Sequence, residues 1–349
     1  AIPNSDGKLE NNYAQRELYA SATALYRLFE KLSFSASSDL IFNTLDADLT
    51  DFAYPKRTTS LSAIAGKYAS EIVLATASLL YTQTFETVQF GEASKNQSKF
   101  SPFAGISIKP FKMTDFRFRA FYKNMFRLPT FNDLYYTQIG NRKLKPEDAN
   151  QFNLGATYTL TNKYFIDFLL ITADAYHNKV KNKIVAYPTK NIFEWTMINY
   201  GMVEINGIDL SADAIFKLSK NTKISVGGTH TYQRALNKTD PKSRNYGHQI
   251  PYTPRVSGSG KAGLQTAWFN VNYTMIWSGH RYAVNQNFRE NRVEGFVDHS
   301  LSLAKDFSLK TSTLSANAEV LNLANKNYEV VRYFPMPGRA FRATISLKF

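Results

Sequence analysis

The last nine residues, Phe341-Arg342-Ala343-Thr344-Ile345-Ser346-Leu347-Lys348-Phe349, carry an apolar side chain at every odd position and a polar or charged one at every even position. Successive side chains of a strand point to opposite faces, so this period of two predicts a strand with one apolar and one polar face. The alternation returns at Phe152, Leu154, Ala156, Tyr158 and Leu160, at Phe269, Val271, Tyr273, Met275 and Trp277, and at Leu314, Ala316, Ala318 and Val320. Reading back from Phe349 to a first strand at Ala14–Phe29 yields about 15 segments, each near the ~10-residue unit of barrel strands.

The connections alternate in length. Asn162-Lys163, Ser219 to Asn221 and Asp306-Phe307 read as tight turns, whereas Arg127 to Asp148, Lys181 to Met202, Ala235 to Tyr252, Gly279 to Arg292 and Ala324 to Arg339 read as long polar loops. Outer-membrane barrels combine tight periplasmic turns with longer extracellular loops, and a closed sheet leaves no unpaired backbone in lipid. Soluble sandwiches and propellers also alternate along each strand. They have no need, however, for short and long connections in strict succession or for aromatic residues gathered near strand ends. The pattern therefore predicts an all-β fold, with residues 1–349 forming an antiparallel transmembrane β-barrel portion. That portion is about 15 strands of a 22-stranded barrel, with the plug domain absent. If Phe349 ends at the periplasmic rim, the first strand descends too and residues 1–13 lie outside the cell. An odd strand count then implies that upstream strands are missing from this sequence, because single-chain bacterial barrels have an even number.

Composition narrows the partners. The chain has 21 Tyr and 26 Phe, yet its mean hydropathy is negative, so apolar bulk is interleaved with polar residues. The most apolar stretch, Ile72 to Tyr81, is far shorter than the roughly 20 residues a membrane helix needs, and Ala1 to Asn12 shows no signal-peptide core. Lys plus Arg number 42 against 28 Asp plus Glu, a net charge of +14. Those cations are spread over strands and loops without a basic run, which disfavours nucleic acid and suits a hydrated lumen or the phosphates of outer-membrane lipid and lipopolysaccharide. With no cysteine there is no disulfide, thiolate zinc site or thiol nucleophile.

Three groups of residues carry a resemblance. The first is Phe126-Arg127-Leu128-Pro129-Thr130-Phe131-Asn132-Asp133-Leu134-Tyr135-Tyr136, followed by Gly140-Asn141 and Leu144-Lys145-Pro146-Glu147. The second is Trp195 to Gly201 with Ile205-Asn206-Gly207-Ile208-Asp209, where Asp209 stands in place of the usual Glu. The third is Leu321 to Tyr328 with Pro335-Met336-Pro337-Gly338-Arg339, ahead of the terminal strand. Together they resemble the segments of TonB-dependent receptors over most of residues 100 to 349, and the first is most similar to Bacteroidetes cobalamin receptors. Pro129 and Pro146 lack the amide proton that a ladder needs, so the first motif is expected to shape a loop rather than to bind ligand.

The resemblance implies an outer-membrane receptor whose extracellular loops capture a large, rare solute. Cobalamin is the expected solute, with haem or a ferric siderophore as alternatives and a passive porin as the competitor from another class. It also implies coupling to the TonB complex through a missing N-terminal region, a possible surface lipoprotein partner, and recognition of Phe349 by the barrel-assembly machinery. Loop aromatics expected to contact a bulky ligand are Tyr135, Tyr136, Trp195, Tyr246, Tyr282, Tyr333 and Phe334, with His248 beside them. The motif residues are Arg127, Pro129, Asn141, Leu144, Pro146 and Glu147. No cofactor and no metal are expected: His177, His230, His248, His280 and His299 lack metal-ligand spacing. Enzyme chemistry is not expected either. Gly258-Ser259-Gly260-Lys261 is followed by Ala262 where a phosphate loop needs Ser or Thr, and Asp167 and Asp174 lie seven apart, on opposite faces of a strand.

Overall fold

A computed structural model describes residues 11–112, 114–189 and 194–349. In chain order its strands are β1 (Tyr13–Phe29), β2 (Leu32–Ala47), β3 (Lys56–Ala69), β4 (Val73–Thr87), β5 (Gln97–Ile108), β6 (Asp115–Arg127) and β7 (Glu147–Lys163). They continue with β8 (Ile166–Pro188), β9 (Trp195–Lys217), β10 (Lys223–Asn237), β11 (Val256–Gln265) and β12 (Asn270–Ser278). The last are β13 (Arg281–Tyr282), β14 (Arg292–Val293), β15 (Phe296–Ser308), β16 (Thr313–Leu321), β17 (Glu329–Val331), β18 (Phe334–Pro335) and β19 (Ala340–Lys348). Fifteen of them form one antiparallel sheet that follows sequence order from β1 to β12 and then takes β15, β16 and β19, so the expected strand number is met. The remaining four make two small pairs inside the last two long connections, β13 with β14 and β17 with β18. Among the described residues, helix is limited to α1 (Phe131–Tyr135) and a single 3-10 turn at Arg289–Asn291, and no helix is long and apolar enough to cross a membrane.

Short and long connections do alternate, with three adjustments. The Asp306-Phe307 turn is overturned: both residues are inside β15, opposite Ser315 and Leu314, and the turn falls at 309–312. The alternation of Leu301, Leu303 and Phe307 runs through Asp306 to Leu309, so this charged residue lies on the polar face of the strand and marks no turn. The Asn162-Lys163 turn sits two residues later, at 164–165, with Tyr164 in the left-handed region. The Lys181–Met202 loop is mostly strand, since β8 runs to Pro188 and β9 starts at Trp195; residues 190–193 of it, like residues 1–10, lie outside the described part.

Two compact units emerge from the contacts. One takes the chain up to Ile106, Phe121–Gln151 and Lys179–Met202; the other takes Ser107–Ala120, Phe152–Asn178 and Val203–Phe349. In the first, the faces of the sheet are inverted relative to a water-soluble protein. Phe34, Leu40, Phe42, Ile64 and Leu79 are exposed, Ile64 at 63%, while Thr59, Thr82, Thr84, Ser101 and Asn124 are buried. Exposed apolar rows of this extent are stable against hydrocarbon and costly against water.

In the second unit the polar face carries ion pairs that reach over an intervening strand. Arg119 of β6 meets Asp174 of β8 at 2.9 Å, and Lys261 of β11 meets Asp213 of β9 at 2.6 Å. The strand crossed presents Gly155 in the first case and Gly227 in the second. A methyl group at Gly155 would collide with the Asp174 carboxylate, and one at Gly227 with that of Asp213. Asp167 is occupied separately by Lys223, at 2.7 Å, so Asp167 and Asp174 form no carboxylate pair.

Candidate functional site

The connection between β6 and β7 folds as a small unit of its own. β6 ends at Arg127, just before Leu128-Pro129, where the ladder loses a donor. Thr130 then caps α1: its hydroxyl accepts the Asp133 amide at 3.1 Å, and the Asp133 carboxylate accepts the Thr130 amide at 2.9 Å. Arg127 donates to that same carboxylate and to Glu147, both at 3.1 Å, and so holds the end of β6, the helix and the start of β7 together. Glu147 also accepts the Ile184 amide at 2.6 Å. Phe131, Leu134, Tyr135 and Leu144 pack with Leu45, Phe52, Ala53 and Ile184 into a buried apolar cluster.

Asn141 donates to the Met197 carbonyl at 2.9 Å, and its side-chain oxygen accepts the Lys143 amide at 3.0 Å. The Gly140 amide donates to Tyr136 O at 2.6 Å, a closeness that leaves no room for a Cβ. The next residues are fixed by Asn199, which accepts the Lys145 amide at 2.8 Å and donates to the carbonyls of Lys145 and Asn182 at 3.0 and 2.7 Å. Pro146 O accepts from Asn182 at 3.4 Å. Arg127, Asn141, Leu144, Pro146 and Glu147 of the predicted motif thus each have a partner that builds the loop.

Beneath this loop lies an ion pair that sequence reasoning missed. Arg57 of β3 donates to Glu86 of β4 through Nη2 at 2.5 Å and Nε at 2.6 Å, and to Pro129 O at 2.8 Å. The Arg57 guanidinium also lies 4.8 Å from the Phe131 ring centroid. The Glu86 side chain is only 3% exposed, and its other oxygen accepts the Tyr135 hydroxyl. Burial, reinforced by the Glu86 carboxylate, pushes the Tyr135 phenol well above its ordinary range. No local signal could have shown this pair, because its members stand on different strands 29 residues apart. A cavity of about 290 Å³ opens beside it, lined by residues of the 88–96 and 128–146 connections together with Arg57, Thr84, Glu86 and Gln97.

The predicted ligand contacts divide between the units. In the first, Tyr135 is 4% exposed and engaged with Glu86. Tyr136 is half-buried and stacks on Tyr13 at 4.4 Å, and Trp195, also half-buried, opens β9. In the second, His248 accepts the Asn287 amide at 3.3 Å and lies 3.2 Å from the Asn285 carbonyl through the same Nδ1, with Phe288 edge-on at 6.5 Å. Tyr246 is exposed with the Lys238 ammonium 4.5 Å from its ring centre. Tyr282 meets His280 edge-on at 6.0 Å. Tyr333 and Phe334 are about half exposed at the tip of the β17–β18 hairpin, Tyr333 at φ 67° with Arg332 over its ring at 4.9 Å. Phe349 follows β19 and is 98% exposed.

The loops of the second unit are tied by buried polar groups. Arg281, 3% exposed, donates to the carbonyls of Glu294 at 3.3 Å and Val330 at 2.7 Å and to that of Glu329; desolvation lowers its affinity for the proton. Asn322, in the left-handed region, donates to Lys326 O at 2.9 Å and Pro337 O at 3.1 Å and accepts the Lys326 amide at 3.0 Å. Arg339 reaches back to Leu323 O at 2.7 Å, and its amide to Asn325 at 2.9 Å. The third sequence motif is accounted for in this way.

A hollow of about 850 Å³ is lined by Leu25, Phe34, Ala36, Ile64 and Leu79 on the exposed apolar face of the first unit. Its lining is almost wholly apolar, with Ser35 and Ser78 set among aliphatic and aromatic side chains, which suits acyl chains better than a hydrated solute. Among the described residues no three His, Asp or Glu side chains are grouped to hold a metal ion.

A family model described as TonB dependent receptor-like, beta-barrel matches residues 9–323. Among curated proteins the chain is similar to the vitamin B12 transporter BtuB of Vibrio vulnificus, 22% identical over 87% of this chain and 44% of that protein. It is likewise 22% identical to the one of Photobacterium profundum, over 64% and 34%. The chain thus spans less than half the length of the curated relatives it matches. Solved structures of similar fold include the copper transporter OprC, with a TM-score of 0.75 at 17% identity, covering 97% of this chain and 57% of that one. The ferric citrate transporter FecA gives a TM-score of 0.69 at 13% identity over 97% and 55%.

Proposed function

This chain belongs to the TonB-dependent receptor-like β-barrel family, whose members are outer-membrane receptors and transporters rather than enzymes, and from that membership we propose that the protein of which it is part takes up cobalamin. The observation that carries this reading is the similarity to vitamin B12 transporters along 87% of the chain. Two features support it. The long connections are folded, braced loops that carry half-exposed aromatic faces at Tyr136, Tyr333 and Phe334, and such faces suit a bulky, partly apolar solute. In addition, the apolar face of the sheet suits lipid, and outer-membrane barrels carry their longer connections on the extracellular side.

In this reading residues 1–349 are the C-terminal part of the barrel, and the rest of the receptor supplies further strands, a plug and the contact with the TonB complex. Phe349 is the handle for the barrel-assembly machinery, the exposed cations meet lipopolysaccharide, and a surface lipoprotein is the candidate partner for the loops. The likeness to metal and ferric-complex transporters supports a second reading, a ferric siderophore or haem as solute. Equilibrium binding of cobalamin, haem and ferric siderophores to the full-length receptor in detergent separates the two. Saturable cobalamin binding is the expected result, and binding only of a ferric complex, or only of a small sugar or peptide, sinks the cobalamin reading.

A further inference from the structure

We propose that the cavity beside the Arg57–Glu86 pair binds a phosphate-type oxyanion, held by Lys95, Arg142, Lys143 and Lys145. The inference rests on the reading that the long connections face the outside and meet solute or lipid there.

Its lining includes five cations, Arg57, Lys95, Arg142, Lys143 and Lys145, and two carboxylates, Glu86 and Glu92. Arg57 and Glu86 neutralise one another at 2.5 Å. Four cations then face one exposed carboxylate, Glu92, and Lys95, Lys143 and Lys145 form no ion pair among the described residues. Uncompensated like charges on a loop repel each other, and chains that only need solubility disperse them. Here the loop backbone does the reverse. The Lys143 amide is held by Asn141 at 3.0 Å and the Lys145 amide by Asn199 at 2.8 Å, so both side chains originate from a braced segment. The Arg142 guanidinium is 5.4 Å from the Tyr135 ring centre and donates to Phe90 O at 3.2 Å through Nη1, leaving further N–H groups for another acceptor.

A volume near 290 Å³ suits a charged group rather than a whole large solute. Convergent Lys and Arg around a small polar recess recognise oxyanions, and phosphate accepts the largest number of such charge-assisted bonds.

The phosphate could be carried by a free solute or by lipopolysaccharide, and calorimetric titrations of the full-length receptor with inorganic pyrophosphate and with lipopolysaccharide micelles separate the two sources. The double variant Lys143→Gln/Lys145→Gln is expected to bind at least about tenfold more weakly. Glu92→Gln is expected to bind more tightly, and Lys310→Gln, in the 309–312 turn, is expected to match the parent. Pyrophosphate binding lost in the double variant supports a solute-borne oxyanion; a loss seen only with lipopolysaccharide supports a lipid-borne one. Equal binding by parent and double variant, or no binding of either probe by the parent, overturns the site. The uptake reading fails separately, if cobalamin, haem and ferric siderophores all fail to bind while pyrophosphate still does.

Discussion

The two units brace their long connections by different physics. In the first, the 128–146 connection makes an apolar core of its own, Phe131, Leu134, Tyr135 and Leu144 against Leu45, Phe52, Ala53 and Ile184, set over a buried ion pair. In the second, side chain to backbone bonds do the bracing: Asn287 ties 279–295 to the Gln249 backbone in 238–255, Arg281 ties it to Val330 in 322–339, and Asn322 ties the two ends of 322–339 together. An apolar core gains from the total area it hides and tolerates some change of shape. A polar network depends on each bond, since one lost partner leaves a desolvated group unsatisfied.

Substitutions that separate these mechanisms can be ranked by expected size. Glu86→Ala should be the most damaging, because it strands the buried Arg57 guanidinium and releases the Tyr135 hydroxyl; about 4 kcal/mol of local stability should be lost. Hydrogen exchange of the 128–146 amides measures this, and unchanged protection would show that the loop is held by its apolar cluster alone. Leu134→Ala should cost about 3 kcal/mol in the same measurement, from lost burial and the cavity left behind. Asn322→Ala tests the other unit: it places a Cβ-bearing residue without a polar side chain at positive φ and frees the carbonyls of Lys326 and Pro337. About 2 kcal/mol should be lost there, read as faster exchange in 322–339 with none in 128–146.

Tyr328→Phe should have the smallest effect, about 1 kcal/mol, from loss of the 2.7 Å bond to Asp298. Its signature is the pH dependence. Burial, and then the Asp298 carboxylate, push the Tyr328 phenol up to about 12 from 10.0. A folded-state value above the unfolded one means that the contribution is complete below pH 10 and disappears as pH rises through about 12. Hydrogen-exchange protection of 322–339, followed from pH 9 upward, should fall in the parent over that window and be flatter in the Phe variant. Parallel curves would remove Tyr328 as the cause.

The alternation of apolar and polar residues determined the strands and their number, because a strand's side-chain period is local and needs no partner to be read; that the apolar face is the exposed one was decided by the tertiary structure. Pro129, the Thr130/Asp133 box and Pro146 likewise announced where pairing stops and a loop folds, since missing donors and caps act within a few residues. The sequence could also place Tyr135 in a loop. It could not tell that this ring is buried on Glu86, because that depends on β3 and β4 bringing Arg57 and Glu86 beneath a segment more than forty residues further on. The same limit hid the cationic cavity, whose Lys95 and Lys143 belong to different connections, and the ion pairs over Gly155 and Gly227, whose members stand two strands apart. Period and caps are properties of neighbours along the chain and were legible there; charge pairing and cavity lining are properties of neighbours in space, and only the tertiary structure decided them.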